Sequence, residues 1–328
     1  MATHKIIIVV WFVVGTPAIS QEVRTVPAEV LSPEIVKYVD AAIDTLKLVS
    51  RHRGLVNWQS LRDSALTFAA GAKKPRDVYP VVDWLLSRVD GHSFLQANWF
   101  GVRGEIIREC VGYIRVPFYS GGMSAILADT LQSILASHVS QGVSRWIVDL
   151  RNNGGGNVWP MLAGIGPLLG DSVVAWDQSP TGLSLKVYSN GAAMFVEEDG
   201  TLTELVRVTT NPLIIPPPLP PVAVLIDRGT ASSAEAIAVC FRSRPSTRFF
   251  GERTAGVSST NKGYRLPDGA NMVITIGVYA DRHGNLYPDG IGPHETIASS
   301  LRGPTMLVGD PVVARAVRWL EEFGSCAK

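Results

Sequence analysis

Two short apolar runs, residues 146–150 (WIVDL) and 222–227 (VAVLID), constrain this chain most. Runs of that length, bounded by turn residues, read as buried strands rather than helices. An amphipathic helical pattern over residues 123–139 precedes the first run, and a strand-like stretch, 111–117 (VGYIRVP), precedes that helix. Strand, helix, strand in this order predicts an α/β core. After the second run Arg228 and Gly229 turn the chain, and 232–241 continues as a helix. Further strands are expected at 248–251 and 272–279, and Asp310-Pro311 opens a C-terminal helix ending near Phe323. Residues 171–210 are strand and turn material, read as an inserted hairpin region or cap, and the proline-rich segment 212–221 is an extended linker back into the core.

The N-terminal third reads differently. Lys5, an apolar run at 6–15 and the small residues Ala18 and Ser20 have the form of a secretory signal, with cleavage expected after Ser20. The run is well short of the ~20 residues that span a bilayer. No membrane span is therefore expected after signal removal, and the expected location is periplasmic or extracellular, with an uncleaved anchor as the alternative. Ser32-Pro33-Glu34 has the residues of a helix start, and Ile35, Val36, Tyr38, Val39, Ala42, Ile43, Leu46 and Leu48 recur at helical spacing. Helical patterns also follow Asn57 and Asp77, so residues 21–90 read as a small helical region. The predicted division is a signal at 1–20, a helical region at 21–95, a core at 96–309 with a cap insertion at about 171–221, and a C-terminal helix at 310–328.

Several function classes lose support at once. Lys plus Arg number 30 against 29 Asp plus Glu, with no basic block, so a nucleic-acid partner has little electrostatic basis. Three widely spaced cysteines, Cys110, Cys240 and Cys326, make neither a disulfide framework nor a metal knuckle, although one pair could be oxidised after export. Cys240 lies in an apolar helical stretch and reads as a core residue. His4, His52, His138, His283 and His294 show no metal spacing, and the Gly-x-Ser-x-Gly motif of common esterases is absent. No cofactor or metal is expected.

Three segments carry nucleophilic chemistry. Thr230-Ala231-Ser232-Ser233-Ala234-Glu235 follows a strand and a glycine turn and opens a helix, where free N–H groups and the positive end of the helix dipole suit a developing oxyanion. Asp149-Leu150-Arg151-Asn152-Asn153-Gly154-Gly155-Gly156 ends a buried strand, and its glycines let the backbone approach another group closely. Asp90-Gly91-His92-Ser93-Phe94 places a histidine in a turn after a helix. Taken singly, each segment is as readily a cap, a tight turn or an exposed loop.

Together, and in order with Gly251-Glu252-Arg253-Thr254-Ala255-Gly256, these blocks resemble the signatures of the tail-specific (C-terminal-processing) protease superfamily, the family S41 serine peptidases. The histidine block resembles that of the Ser–His subgroup without a PDZ domain, such as nisin resistance protein-like peptidases. The resemblance spans roughly residues 55–300 and implies a ClpP/crotonase-like ββα core with an N-terminal helical region and a strand-rich cap insertion. It implies Ser232 as nucleophile, His92 as general base, and oxyanion donors at Ser233 and at Gly155 or its neighbour Gly154. Glu235 would orient substrate or helix. Asp289, Asp281 and Ser93 are the candidates for orienting the imidazole, and a bare dyad is the alternative. The lysine that a Ser–Lys subgroup carries after the Gly-Glu-x-Thr-x-Gly block is replaced by Val257. Lys262 falls in what reads as a Gly/Ser/Asn-rich turn. The implied activity is exported endopeptidase cleavage of peptides or protein C-terminal regions, with a polypeptide as the partner and the oligomeric state left open. The rival readings are a non-catalytic hydrophobic-ligand or peptide binder on the same fold, a crotonase-like enzyme, and an esterase or penicillin-interacting enzyme.

Overall fold

The structure, a computed structural model, describes residues 31–89, 101–122, 125–298, 307 and 309–324. The expected signal segment and the loop carrying His92 and Ser93 lie outside the described residues.

Among the described residues the first three α-helices are α1 (Pro33–Val49), α2 (Trp58–Phe68) and α3 (Tyr79–Val89). Ser32 caps α1 by accepting the Ile35 N–H, Pro33 occupies the first helical position, and Ile35, Val39, Ile43 and Leu46 face inward. Asn57 caps α2 through the Ser60 N–H. These faces share one apolar cluster with Trp84 and Leu85 of α3. Each fully buried aliphatic side chain there contributes about 1.5–3 kcal/mol. Arg62 clamps the Asp40 carboxylate with two bonds, at 2.6 and 2.9 Å, and so ties α2 to α1.

The core follows as β1 (Arg103–Arg108), β2 (Val111–Arg115), α4 (Ile126–Ser140), β3 (Arg145–Asp149) and α5 (Val158–Ile165). Four strands come next: β4 (Ser172–Gln178), β5 (Leu183–Ser189), β6 (Ala192–Val196) and β7 (Leu202–Arg207). The chain then returns through β8 (Val222–Ile226), α6 (Ser233–Arg242), β9 (Thr247–Gly251), β10 (Ser259–Arg265), β11 (Asn271–Asp281), β12 (Glu295–Thr296) and α7 (Pro311–Glu321).

One sheet has the order β1-β2-β3-β8-β9-β12, parallel except for the β1–β2 pair. Its strands alternate between two apolar layers, as a period of two requires. Trp146, Val148, Val222, Val224 and Ile226 pack with Leu127 of α4, Met161 of α5 and Ile237 of α6. Ile147, Ala223 and Leu225 pack on the other side with Val312, Val313 and Ala316 of α7. Burial on both faces explains why β3 and β8 are apolar throughout. The mixed α/β class expected from the sequence is the class observed.

The second sheet is antiparallel, in the order β10-β11-β4-β5-β6-β7. It is not built from the 171–221 insertion alone, because the hairpin following β9 supplies two of its strands. β11 joins β4 only through residues 278–281. The rest of the β10–β11 ribbon runs beyond that contact, which puts Lys262 on an exposed strand rather than in a turn.

Candidate active site

The site begins where β8 ends. Asp227, half-buried and held above the usual carboxylate range by desolvation, accepts the N–H groups of Asn152 and Gly229, each at 2.9 Å. Thr230 donates its hydroxyl to the Leu150 carbonyl at 2.9 Å, and the Ala231 N–H donates to the Asn153 carbonyl at 2.9 Å. These bonds lace the Thr-Ala-Ser segment onto the glycine loop that leaves β3.

Ser232 then turns the chain into α6 with φ 52° and ψ −118°. A side-chain-bearing residue at positive φ is uncommon, and such outliers cluster at functional sites. The Ser233 N–H stands at the first helical position, where no intrahelical acceptor exists. Ser233 Oγ donates to the Gly156 carbonyl at 2.5 Å, a second tie between elbow and glycine loop.

Gly155 explains why this loop must lack side chains. With φ 101°, a Cβ there would lie 2.8 Å from the Ala231 carbonyl oxygen, 2.8 Å from Ser233 N and 2.9 Å from Ser232 Cβ. Its N–H is already given to Asn153 Oδ1 at 2.9 Å. The Gly155 amide, one of the two donors expected from the sequence, is thus engaged within its own loop. The neighbouring Gly154 is exposed, and its N–H has no partner among the described residues. Asn153, which the sequence reading passed over, shapes the loop from both ends, because its amide also donates to the Val116 carbonyl at 2.9 Å.

Glu235 is fully buried. It accepts the N–H groups of Ser232, Gly256 and Val257 and the hydroxyl of Thr254. A substrate-orienting role is thus corrected to an internal one, because all four bonds go to protein donors. Asp281 is likewise occupied: it accepts the N–H groups of His283 and Asn285, the Asn285 amide and the Tyr287 hydroxyl within its own turn. Those bonds outweigh its desolvation and hold it below the ordinary carboxylate range. Its candidacy as an imidazole partner falls for the same reason. Asp289 is exposed, and its carbonyl accepts from Arg253 at 3.1 Å.

Behind the loop, Arg151 bridges two buried carboxylates. It reaches Asp149 Oδ2 and Asp310 Oδ2, both at 2.7 Å, and Tyr113 donates its hydroxyl to Asp149 at 2.8 Å. Asp310 also caps α7 through the N–H groups of Val312 and Val313. The Asp-Leu-Arg text is therefore a structural anchor joining β3 to α7. Burial alone would raise Asp149, but the adjacent Arg151 charge overrides it and keeps the carboxyl low. Among the described residues no cluster of His, Cys, Asp or Glu could hold a metal ion, and no helix is long and apolar enough to cross a membrane.

Comparison with known proteins places the chain in a family. The sequence profile of Peptidase family S41 covers residues 110–297, which contain the whole elbow, the glycine loop and the Thr254 turn. The nisin-resistance protein of Lactococcus lactis subsp. lactis is 28% identical over 269 residues, 78% of this chain and 80% of that protein. The carboxyl-terminal-processing protease of Synechocystis sp. is 26% identical over 194 residues, 59% of this chain and 39% of that protein. This chain thus spans about two fifths of that processing protease. A lipoprotein structure from Streptococcus agalactiae superposes over 90% of this chain and 99% of its own length, with a TM-score of 0.51 at 21% identity, a likeness of fold. With the family profile matching more than half of its length, the chain belongs to Peptidase family S41 and is a serine peptidase.

Proposed function

We propose that this peptidase is an exported endopeptidase that cleaves polypeptides in or near their C-terminal regions, through an acyl-enzyme on Ser232 with His92 as general base. One observation carries the reading: Ser232 has a strained backbone at the mouth of α6, close against the glycine loop, and the flanking N–H groups of Ser233 and Gly154 have no partner among the described residues. His92 takes the Ser232 proton as Oγ attacks the scissile carbonyl, and an imidazole with ordinary pKa near 6.5 suits that task at neutral pH. The oxyanion lies between the N–H groups of Ser233 and Gly154, each worth roughly 3–4 kcal/mol in comparable acyl-transfer sites. His92 passes the proton to the leaving amine. Water then attacks the acyl carbon, releasing the carboxylic acid product and regenerating Ser232. Ser93 and Asp289 remain the candidates for orienting the imidazole.

Family membership supports a polypeptide substrate, and the relatives are named for nisin resistance and for carboxyl-terminal processing. An extended segment suits a sheet edge, and β10 offers one two residues beyond Val257. The signal-like N-terminus and the disulfide-bonded state of Cys110 support export to an oxidising compartment. Ser232→Ala and His92→Ala are each expected to abolish peptide cleavage, and Ser232→Ala to abolish labelling by a fluorophosphonate probe. Wild-type turnover in either variant rejects the assignment.

A further inference from the structure

We propose that Glu235 and Thr254 are positioning residues that hold the Ser232 backbone in its strained, presenting conformation. The proposal rests on Ser232 being the nucleophile. The chain contains its own comparison. Ser32 and Ser232 both stand at the N-cap of a helix. Ser32 has the ordinary extended geometry, φ −62° and ψ 147°, and turns its hydroxyl back to accept a helix N–H. Ser232, the same residue type in the same role, sits at φ 52° and ψ −118°. Nothing in serine favours that conformation. Left to itself, Ser232 would relax to the extended backbone of Ser32.

The Glu235 carboxylate opposes that relaxation. Oε2 accepts the Ser232 N–H at 2.9 Å and the Val257 N–H at 3.0 Å. Oε1 accepts the Gly256 N–H at 3.0 Å and the Thr254 hydroxyl at 2.6 Å. Thr254 Oγ1 accepts the Ile291 N–H in turn, at 2.8 Å. The elbow amide is therefore one of four donors gathered on a single buried carboxylate, and the other three come from the 254–257 turn. Gly290 completes the fit, because a Cβ at that position would lie 2.5 Å from Thr254 Oγ1 and 2.8 Å from Glu235 Oε1. A helix cap alone needs neither the turn nor the threonine. Their convergence on the oxygens that hold the Ser232 N–H is what points to positioning of the nucleophile.

Thr254→Val keeps the shape and removes the hydroxyl, whereas Thr254→Ser keeps the hydroxyl. Losing one hydrogen bond to a charged group predicts a kcat about 10–100-fold lower for Thr254→Val, with KM within about threefold of wild type. Fluorophosphonate labelling of Ser232 should slow by the same factor, and Thr254→Ser should recover kcat to within about threefold. Glu235→Gln, of equal size but with one acceptor oxygen, is the second arm and should lower kcat with KM unchanged. A wild-type kcat in either Thr254→Val or Glu235→Gln overturns the proposal, as does a Thr254→Ser enzyme as slow as Thr254→Val. Ser232→Ala runs alongside: its retained turnover would remove the nucleophile assignment itself, whereas its loss beside a fully active Thr254→Val would remove only the positioning role.

Discussion

Adding one methyl group at Gly155 tests the site most directly. A Cβ there would meet Ser233 N and the Ala231 carbonyl oxygen at 2.8 Å and Ser232 Cβ at 2.9 Å, all closer than real Cβ contacts come. Either the glycine loop or the serine elbow must retreat by roughly 0.5 Å, and misplacements of that order already cost substantial rate in a preorganised site. The Ser233 N–H stands directly in the crowded direction. Loss of one oxyanion donor costs about 10²–10³ in kcat, so Gly155→Ala should lower kcat/KM by about that factor. The backbone adds a stability term, since φ at Gly155 is 101° and an alanine there costs about 1–3 kcal/mol. For a chain of this length that corresponds to a Tm fall of about 2–5 °C. Gly154→Ala is the control: its Cβ would find only Phe118 Cδ2, at 3.9 Å, and its Tm should stay within about 1 °C of wild type. The assay pairs steady-state cleavage of a fluorogenic peptide with a thermal melt. A Gly155→Ala enzyme with wild-type kcat/KM would refute the reasoning, because the observed backbone spacing leaves no room for the methyl group beside an undisturbed elbow.

Two further outcomes follow from buried charge. Arg151→Leu leaves Asp149 and Asp310 buried without their shared cation and should destabilise by about 3–5 kcal/mol, read by urea denaturation, with α7 amides losing exchange protection first. His138 is buried against Trp146, and desolvation lowers its pKa, with Glu105 offsetting only part of that effect. The unfolded state therefore binds more protons than the folded one as pH drops below about 6.5. Its contribution is present above the unfolded pKa and is lost as pH falls toward the folded pKa, with a slope of at most about 1.4 kcal/mol per pH unit. Replacing His138 by Phe should flatten that part of the stability–pH curve, and an unchanged slope would rule the group out.

Much of the fold is legible where local pattern and burial agree. β3 and β8 stand out because both of their faces are covered, and α1 and α7 because each carries an N-cap, a proline at the first helical position and a regular apolar stripe. Among the elements the sequence does not reveal, three have identifiable reasons. β1 (RGEIIR) is charged and half-exposed, so no alternation shows. α5 (VWPMLAGI) is buried almost all round and contains proline and glycine, which hides its helical period. β10 (STNKGYR) is polar and glycine-containing, reads as a turn, and becomes a strand only by pairing with β11. In the site, the Asn153 side chain closing on the Gly155 amide was readable in principle, since asparagine commonly bonds the backbone two residues on. The Thr254 bond to Glu235 and the Arg151 bond to Asp310 were not readable, because they join residues 19 and 159 positions apart.

The amino-acid sequence by itself determined the α/β class, the peptidase family and the short list of groups able to do acyl-transfer chemistry. Each of these is written in residues a few positions apart, within reach of helix caps, turns and strand alternation. Tertiary structure alone decided that Ser232 is held at positive φ and that Glu235 faces inward. The reason is distance along the chain. Glu235 meets donors 19 to 22 positions away, and the elbow is tied to the glycine loop across 77 and 80 positions; no local preference can state which of two distant segments a hydroxyl or an amide will meet.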